Sequence, residues 1–334
     1  MCTLTFVPGL PLGGYLIAHN RDEANARGPG LPPRVERFGD ATVMAPRDSD
    51  AGGTWIGVDD RGRCLAILNG DGVAAAPAPA DARSRGLLVA ELLADARPAA
   101  VRARLQRLVA DGALRSRPFK LVAVEPVVRA DVVGASGLSA APPQATLLRL
   151  DWDGARLAEA ELSGPQCLVS STFESGAVAA ERGEAFARLL DSLPRDEDRL
   201  RARRAAAMAV PEDSSGPGAQ GPAGTQSAAG ARDAEARDAA GARRAADARC
   251  ATVDLGWITD PEPVAAALRA FHAGHSAAAP AGDAFSVCMH RPDGRTVSRT
   301  LVLVGPREIR MEYVPGSPCL GAEPVVTALE RRVG

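Results

Sequence analysis

Lysine is almost missing from this chain: of its 39 Lys and Arg residues only Lys120 is a lysine. A surplus of either charge is missing too. The formal net charge is −2 and the pI is near 6.2, so no bulk field draws the chain to nucleic acid or to an anionic membrane. No apolar run nears the roughly 20 residues that span a bilayer. The opening residues 1–9 have neither a basic n-region nor a long apolar h-region, so no secretory signal is expected and the chain reads as cytoplasmic. Cysteines stand at 2, 64, 167, 250, 288 and 319, with no C-x-x-C pair and no clustering with histidine at zinc-motif spacing. In a reducing compartment they are not expected to form disulfides. Glycine-rich phosphate loops and dinucleotide fingerprints are absent as well, since Gly28-Pro29-Gly30 and Gly52-Gly53 are too short for either. No cofactor and no metal are expected from these patterns.

What is present is a soluble-protein composition, 46% hydrophobic and 24% charged, over 334 residues. Residues 2–7 alternate as a strand with Cys2, Leu4 and Phe6 on one face, and 14–20 read as its return. In an antiparallel hairpin with numbers summing to about 21 or 22, Cys2 lies across from His19 or Asn20. A second hairpin pairs 54–58 with 63–68 and brings Asn69 opposite Gly52-Gly53. Helical spacing covers 84–96, 99–110, 177–192 and about 262–272, and strands are expected at 119–125, 145–150, 156–162, 166–170 and 308–314. A third hairpin joins 285–290 to 296–304. Residues 211–248 hold no Val, Leu, Ile or aromatic residue, so they read as a disordered insertion in one domain formed by 1–210 and 249–334. Hairpins outnumber β-α-β units, which points to an α+β fold of antiparallel sheets covered by helices.

Cys2 carries the functional reading. Removing Met1 leaves a thiol and a free α-amine on one residue, and an amine of pKa near 7.7–8.0 can take the thiol proton at neutral pH. Such a site needs an orienting carboxylate, a cation and donors for the oxyanion. Asp22 fits the first role. Arg21 fits the second and would depress the thiol pKa. The amide of Asn69 fits the third.

The residues Met1-Cys2-Thr3, His19 to Glu23, Gly52 to Gly57, Ser84 to Leu88 and Leu68-Asn69-Gly70 resemble the NRDE family, named for its Asn-Arg-Asp-Glu motif. Its eukaryotic members are the transport and Golgi organisation protein 2 homologues. The similarity is strongest over 1–95, weaker over 117–193, and returns over 283–319 in Ser286 to His290 and Pro318-Cys319. It implies an N-terminal-nucleophile hydrolase-like αββα sandwich. It also implies hydrolysis of a non-peptide amide C–N bond, with Cys2, Arg21, Asp22 and Asn69 as catalytic residues. The same resemblance implies a second oxyanion asparagine near 167–172, where this chain has Ser170-Ser171-Thr172, and a late arginine, for which Arg299 or Arg291 are candidates. Asn20, Gly53, Thr54, Ser171, His290 and Arg299 are the candidate substrate-binding residues.

Other readings stand beside this one. A chain that kept the fold and lost the chemistry would be a binding or haem-trafficking protein, with His19 as a possible axial ligand. An adaptor would recruit a partner through its insertion. Cys288 and His290, at i and i+2, would form a metal pair on one strand face, but no third ligand is in view, so His290 reads as a rim or core residue. His272 and His275, at the end of a helix, receive no role. The expected partner is a small amide or acyl-type molecule, with no nucleic acid and no membrane span.

Overall fold

The computed structural model describes residues 2–70, 82–127, 145–171, 173–193, 258–279 and 282–333. The candidate insertion at 211–248 and Cys250 lie outside them. Thirteen strands are described: β1 (Cys2–Leu10), β2 (Gly14–Ala24), β3 (Gly30–Phe38), β4 (Ala41–Asp48), β5 (Ile56–Asp59), β6 (Cys64–Asn69), β7 (Phe119–Glu125), β8 (Thr146–Trp152), β9 (Leu157–Leu162), β10 (Gln166–Ser170), β11 (Gly294–Val304), β12 (Glu308–Pro315) and β13 (Val325–Glu330). Four helices accompany them: α1 (Arg85–Leu92), α2 (Pro98–Ala110), α3 (Ser175–Ser192) and α4 (Glu262–Ala273).

The strands form two antiparallel sheets, one of six in the order β10-β1-β2-β11-β12-β13 and one of seven in the order β3-β4-β5-β6-β7-β8-β9. The second is a meander in strict chain order. The first is stitched from distant parts of the chain. Helices α1 and α2 cover the seven-stranded sheet, and α3 and α4 cover the six-stranded one. The result is an α+β sandwich with the layer order αββα.

β1 is buried along its whole length, its apolar residues on both faces and its Thr3 and Thr5 hydroxyls paired with Arg182 and His272. Leu4 and Phe6 face the core between the sheets, whereas Val7 and Leu10 face the helical layer of α3 and α4. Lys120, the sole lysine, is buried on β7 and donates to the Val169 carbonyl of β10 at 2.7 Å, tying one sheet to the other.

The first hairpin is longer than its apolar alternation implies, and its register differs. Cys2 pairs with Arg21, Leu4 with His19 and Phe6 with Ile17, so Cys2 faces neither His19 nor Asn20. The cause lies in the connection. Residues 11–13 form a 3-10 turn with Leu12 and Gly13 at positive φ (54° and 68°), and Gly9, at φ 113°, sits in an irregularity between Pro8 and Leu10. That extra residue moves the pairing along by one or two positions.

Three strands were not anticipated. β3 contains Pro32 and Pro33 and is largely exposed, which an edge strand tolerates because half its N–H groups face no partner. Its neighbour β4 and the exposed edge strand β13 complete the set. Conversely, 285–289 is no strand. Its backbone groups are taken by side chains and loops instead: Asp283 Oδ1 accepts from the N–H groups of Phe285 and Ser286, and Cys288 N–H reaches Gly274. Arg182 collects the carbonyls of Ala284, Phe285 and Ser286. Only an isolated bridge, His290 with Arg295, is left of that half of the expected hairpin.

Candidate active site

The register that pairs Cys2 with Arg21 sets both side chains side by side at one end of the six-stranded sheet, facing the second sheet. There β6 ends in Asn69. Its pairing with β5 (Ile56 with Ala66, Val58 with Cys64) continues through Ile67 N–H to the Trp55 carbonyl and brings Asn69 level with Gly53. Between the sheet ends lies a cleft of about 110 Å³ whose wall includes Cys2, Arg21, Asp22, Thr54, Asn69 and Arg85. The four residues expected to do chemistry, Cys2, Arg21, Asp22 and Asn69, therefore share one cavity.

Each is held by identifiable contacts. Arg21 stacks on the Trp55 ring, 4.6 Å from guanidinium carbon to centroid, and its Nη2 donates to Asp48 at 2.7 Å and to Glu23 at 3.2 Å. Arg27 reaches the same Asp48 oxygen at 2.6 Å. Asp22 accepts from the Thr296 hydroxyl at 2.6 Å through Oδ1, and its buried Oδ2 has no hydrogen-bond partner among the described residues. Thr54 caps its own loop, donating to the Ile56 carbonyl at 2.8 Å. Arg85, at the first turn of α1, donates to the Pro118 carbonyl at 3.1 Å.

Electrostatics here is dominated by burial. The Cys2 thiol, 6% exposed, is pushed up by burial, with the terminal ammonium pulling it down and the Asp22 charge pushing it up again, while the Asp22 backbone N–H lowers it. Arg21 is committed to Asp48 and Glu23, and burial outweighs the nearby charges at the thiol. The expected depression of the thiol by Arg21 is thus replaced by a rise. Asp22 is also pushed up, first by desolvation and against the pull of the terminal ammonium and Arg182. His19 falls to about 3 through burial and the nearby Arg21, so it is neutral at physiological pH.

The candidate binding residues divide. Thr54 lines the cleft. Asn20 does not: it faces the opposite side of the sheet, where its amide donates to the carbonyls of His272 and Val287 at 2.8 and 3.0 Å. Arg299, its register partner, donates to the Arg269 carbonyl on the same side. Ser171 closes a local turn with Phe173. His290 contacts Cys288 and Cys319 instead. Gly53 lies outside the cleft wall and packs against α1 instead, where a Cβ on it would fall 2.3 Å from the Gly86 carbonyl carbon. At the position of the expected second asparagine, Ser170 pairs directly with Cys2, and its buried hydroxyl has no partner among the described residues.

Sequence reasoning passed over Arg27, Asp48 and Arg85. Arg85 lies within the Ser84 to Leu88 motif, yet spacing alone does not say that the first turn of α1 lines the same cleft as Cys2. It also passed over Arg182, buried on α3, which donates to the Thr3 hydroxyl beside Cys2 as well as to the 284–286 carbonyls.

Residues 1–140 match the family model described as Transport and Golgi organisation 2. No curated protein matches the sequence. Two variant structures of the conjugated bile acid hydrolase from Clostridium perfringens superpose over 98% of this chain and 92% of theirs, with TM-scores of 0.42 and 0.43 and 12% identity.

Proposed function

We propose that this chain is an N-terminal cysteine amidohydrolase acting on a small amide. The observation that carries the reading is the convergence of Cys2, Asp22 and Asn69, from two different sheets, on one cleft. The family match over residues 1–140 spans all three. In the proposed reaction, loss of Met1 exposes the α-amine of Cys2. That amine takes the thiol proton as sulfur attacks the substrate carbonyl carbon. Asn69 donates to the oxyanion. The tetrahedral species collapses to a thioester, and the amine leaves with the proton. Water, deprotonated by the α-amine, then cleaves the thioester, releasing the acid and restoring the thiol. Asp22, with one carboxylate oxygen uncommitted, holds the α-ammonium. Burial of the thiol suits this order of events, because the proton leaves only as the carbon–sulfur bond forms.

The cleft volume favours a small ligand, since pockets for drug-sized molecules run to roughly 300–1,000 Å³. Arg85 has no carboxylate within ion-pair distance among the described residues and suits an acidic substituent on the acyl group. A haem carrier is less well supported, because His19 is fully buried and outside the cleft wall.

A panel of small N-acyl substrates, assayed with wild type and Cys2→Ala, tests the proposal. Wild type is expected to release amine, and the variant to lose the activity while keeping its thermal midpoint. Intact mass is expected to lack Met1. An electrophilic thiol probe is expected to label Cys2 ahead of Cys64 and Cys167. Retention of Met1, or equal labelling of the three, would end the α-amine mechanism.

A further inference from the structure

A second cluster of reactive side chains lies apart from the cleft wall. His275 follows the end of α4, Cys288 and His290 lie in the irregular segment before β11, and Cys319 sits in a short 3-10 turn after β12. One ligand atom from each lies within 4.8 Å of the other three. His290 Nε2 is 3.2 Å from Cys319 Sγ and 3.7 Å from Cys288 Sγ. The His275 and His290 rings meet edge to face, with centroids 5.3 Å apart and planes at 86°.

We propose that His275, Cys288, His290 and Cys319 form a structural zinc site. Zinc takes two thiolates and two imidazoles tetrahedrally at about 2.3 and 2.0–2.1 Å, which makes the edges of the tetrahedron roughly 3.3–3.8 Å long. Both His290–cysteine separations are close to that range without rearrangement. The donor set is soft sulfur with imidazole, which selects zinc over magnesium or calcium. All four positions are filled by protein, so the centre is closed and structural, with no place for a substrate. An outer shell is present too. The Cys319 backbone N–H points at the Cys288 sulfur, a donor suited to a bound thiolate.

The site would pin three segments: the end of α4, the approach to β11 and the turn after β12. It also reaches toward the cleft. Met289, between two of the ligands, donates its N–H to Thr296 Oγ1 at 2.9 Å, and that hydroxyl donates to Asp22.

The test uses the full chain, purified without chelator, with zinc counted by elemental mass spectrometry. About one zinc per chain is expected, falling at least roughly tenfold in Cys319→Ser and in His275→Ala, with Cys2→Ala unchanged. Wild-type protein stripped of metal and titrated with cobalt(II) is expected to show tetrahedral d–d bands with a thiolate charge-transfer band, a readout that needs no variant to fold. Absence of both zinc and the tetrahedral cobalt spectrum overturns the proposal. So does full zinc retention by both ligand variants, or a Cys288–Cys319 disulfide in protein prepared under reducing conditions.

Discussion

Asp48 accepts from two arginines through one oxygen and from the backbone of Asp50 and Ala51 through the other. Burial raises its carboxyl, but the Ala51 and Asp50 N–H groups with Arg21 and Arg27 outweigh that and hold it below the usual carboxylate range. A depressed carboxylate stabilises the fold fully above its unfolded pKa, and the contribution fades as pH falls through the folded value. Asp48→Asn keeps an oxygen for the backbone but turns an amide toward Arg21. It is expected to cost about 1–3 kcal/mol at pH 7 and to flatten the stability profile between about pH 5 and pH 2, read from urea midpoints across that range. At this scale the sequence was most legible where residues are close in number. Cys2 and the Arg21-Asp22 pair lie on the two arms of one hairpin, so their meeting follows from strand pairing even with the register misjudged. Asp48 reaches the cleft from the end of β4, a strand the sequence did not reveal, and Arg27 and Arg85 from a loop and a helix turn, where number and direction are unrelated.

Among elements, the contact between the Gly53 loop and α1 does the positioning. Thr54 N–H donates to the Gly86 carbonyl at 3.1 Å, and the two glycine backbones lie too close for a Cβ on Gly53. Gly53→Ala must push α1, and Arg85 with it, off the cleft. A loss of roughly 1–3 kcal/mol is expected, with slower labelling of Cys2 by the thiol probe, both measured on the purified variant. The central hairpins and all four helices could be read from apolar periodicity, because each buries a regular stripe. The edge strands β3 and β13 could not, since their exposed faces carry prolines, charges and valines in no clean alternation. The segment 285–289 misled in the opposite way: its apolar residues are buried, but Arg182 and Asp283 hold it in an irregular path that composition does not encode.

Across the whole molecule, the two sheets differ in how local they are. The seven-stranded meander uses residues 30–162 in order. In the other sheet β1 lies between β2 and β10, and β2 pairs on its far side with β11, which begins at Gly294. During translation at about 5–20 residues per second, β10 leaves the ribosome roughly 10–30 seconds after β1. Through that interval the nascent amino terminus has only one neighbouring strand, and a methionine aminopeptidase can reach it. Once β10 docks, Cys2 is paired on both sides, with Ser170 and with Arg21. Protein made with Met1 intact is therefore expected to resist trimming by that enzyme when folded and to yield when unfolded in urea and diluted into the assay, as followed by intact mass. The order in which the strands are synthesised thus sets a timed window for the Met1 removal that the proposed reaction requires.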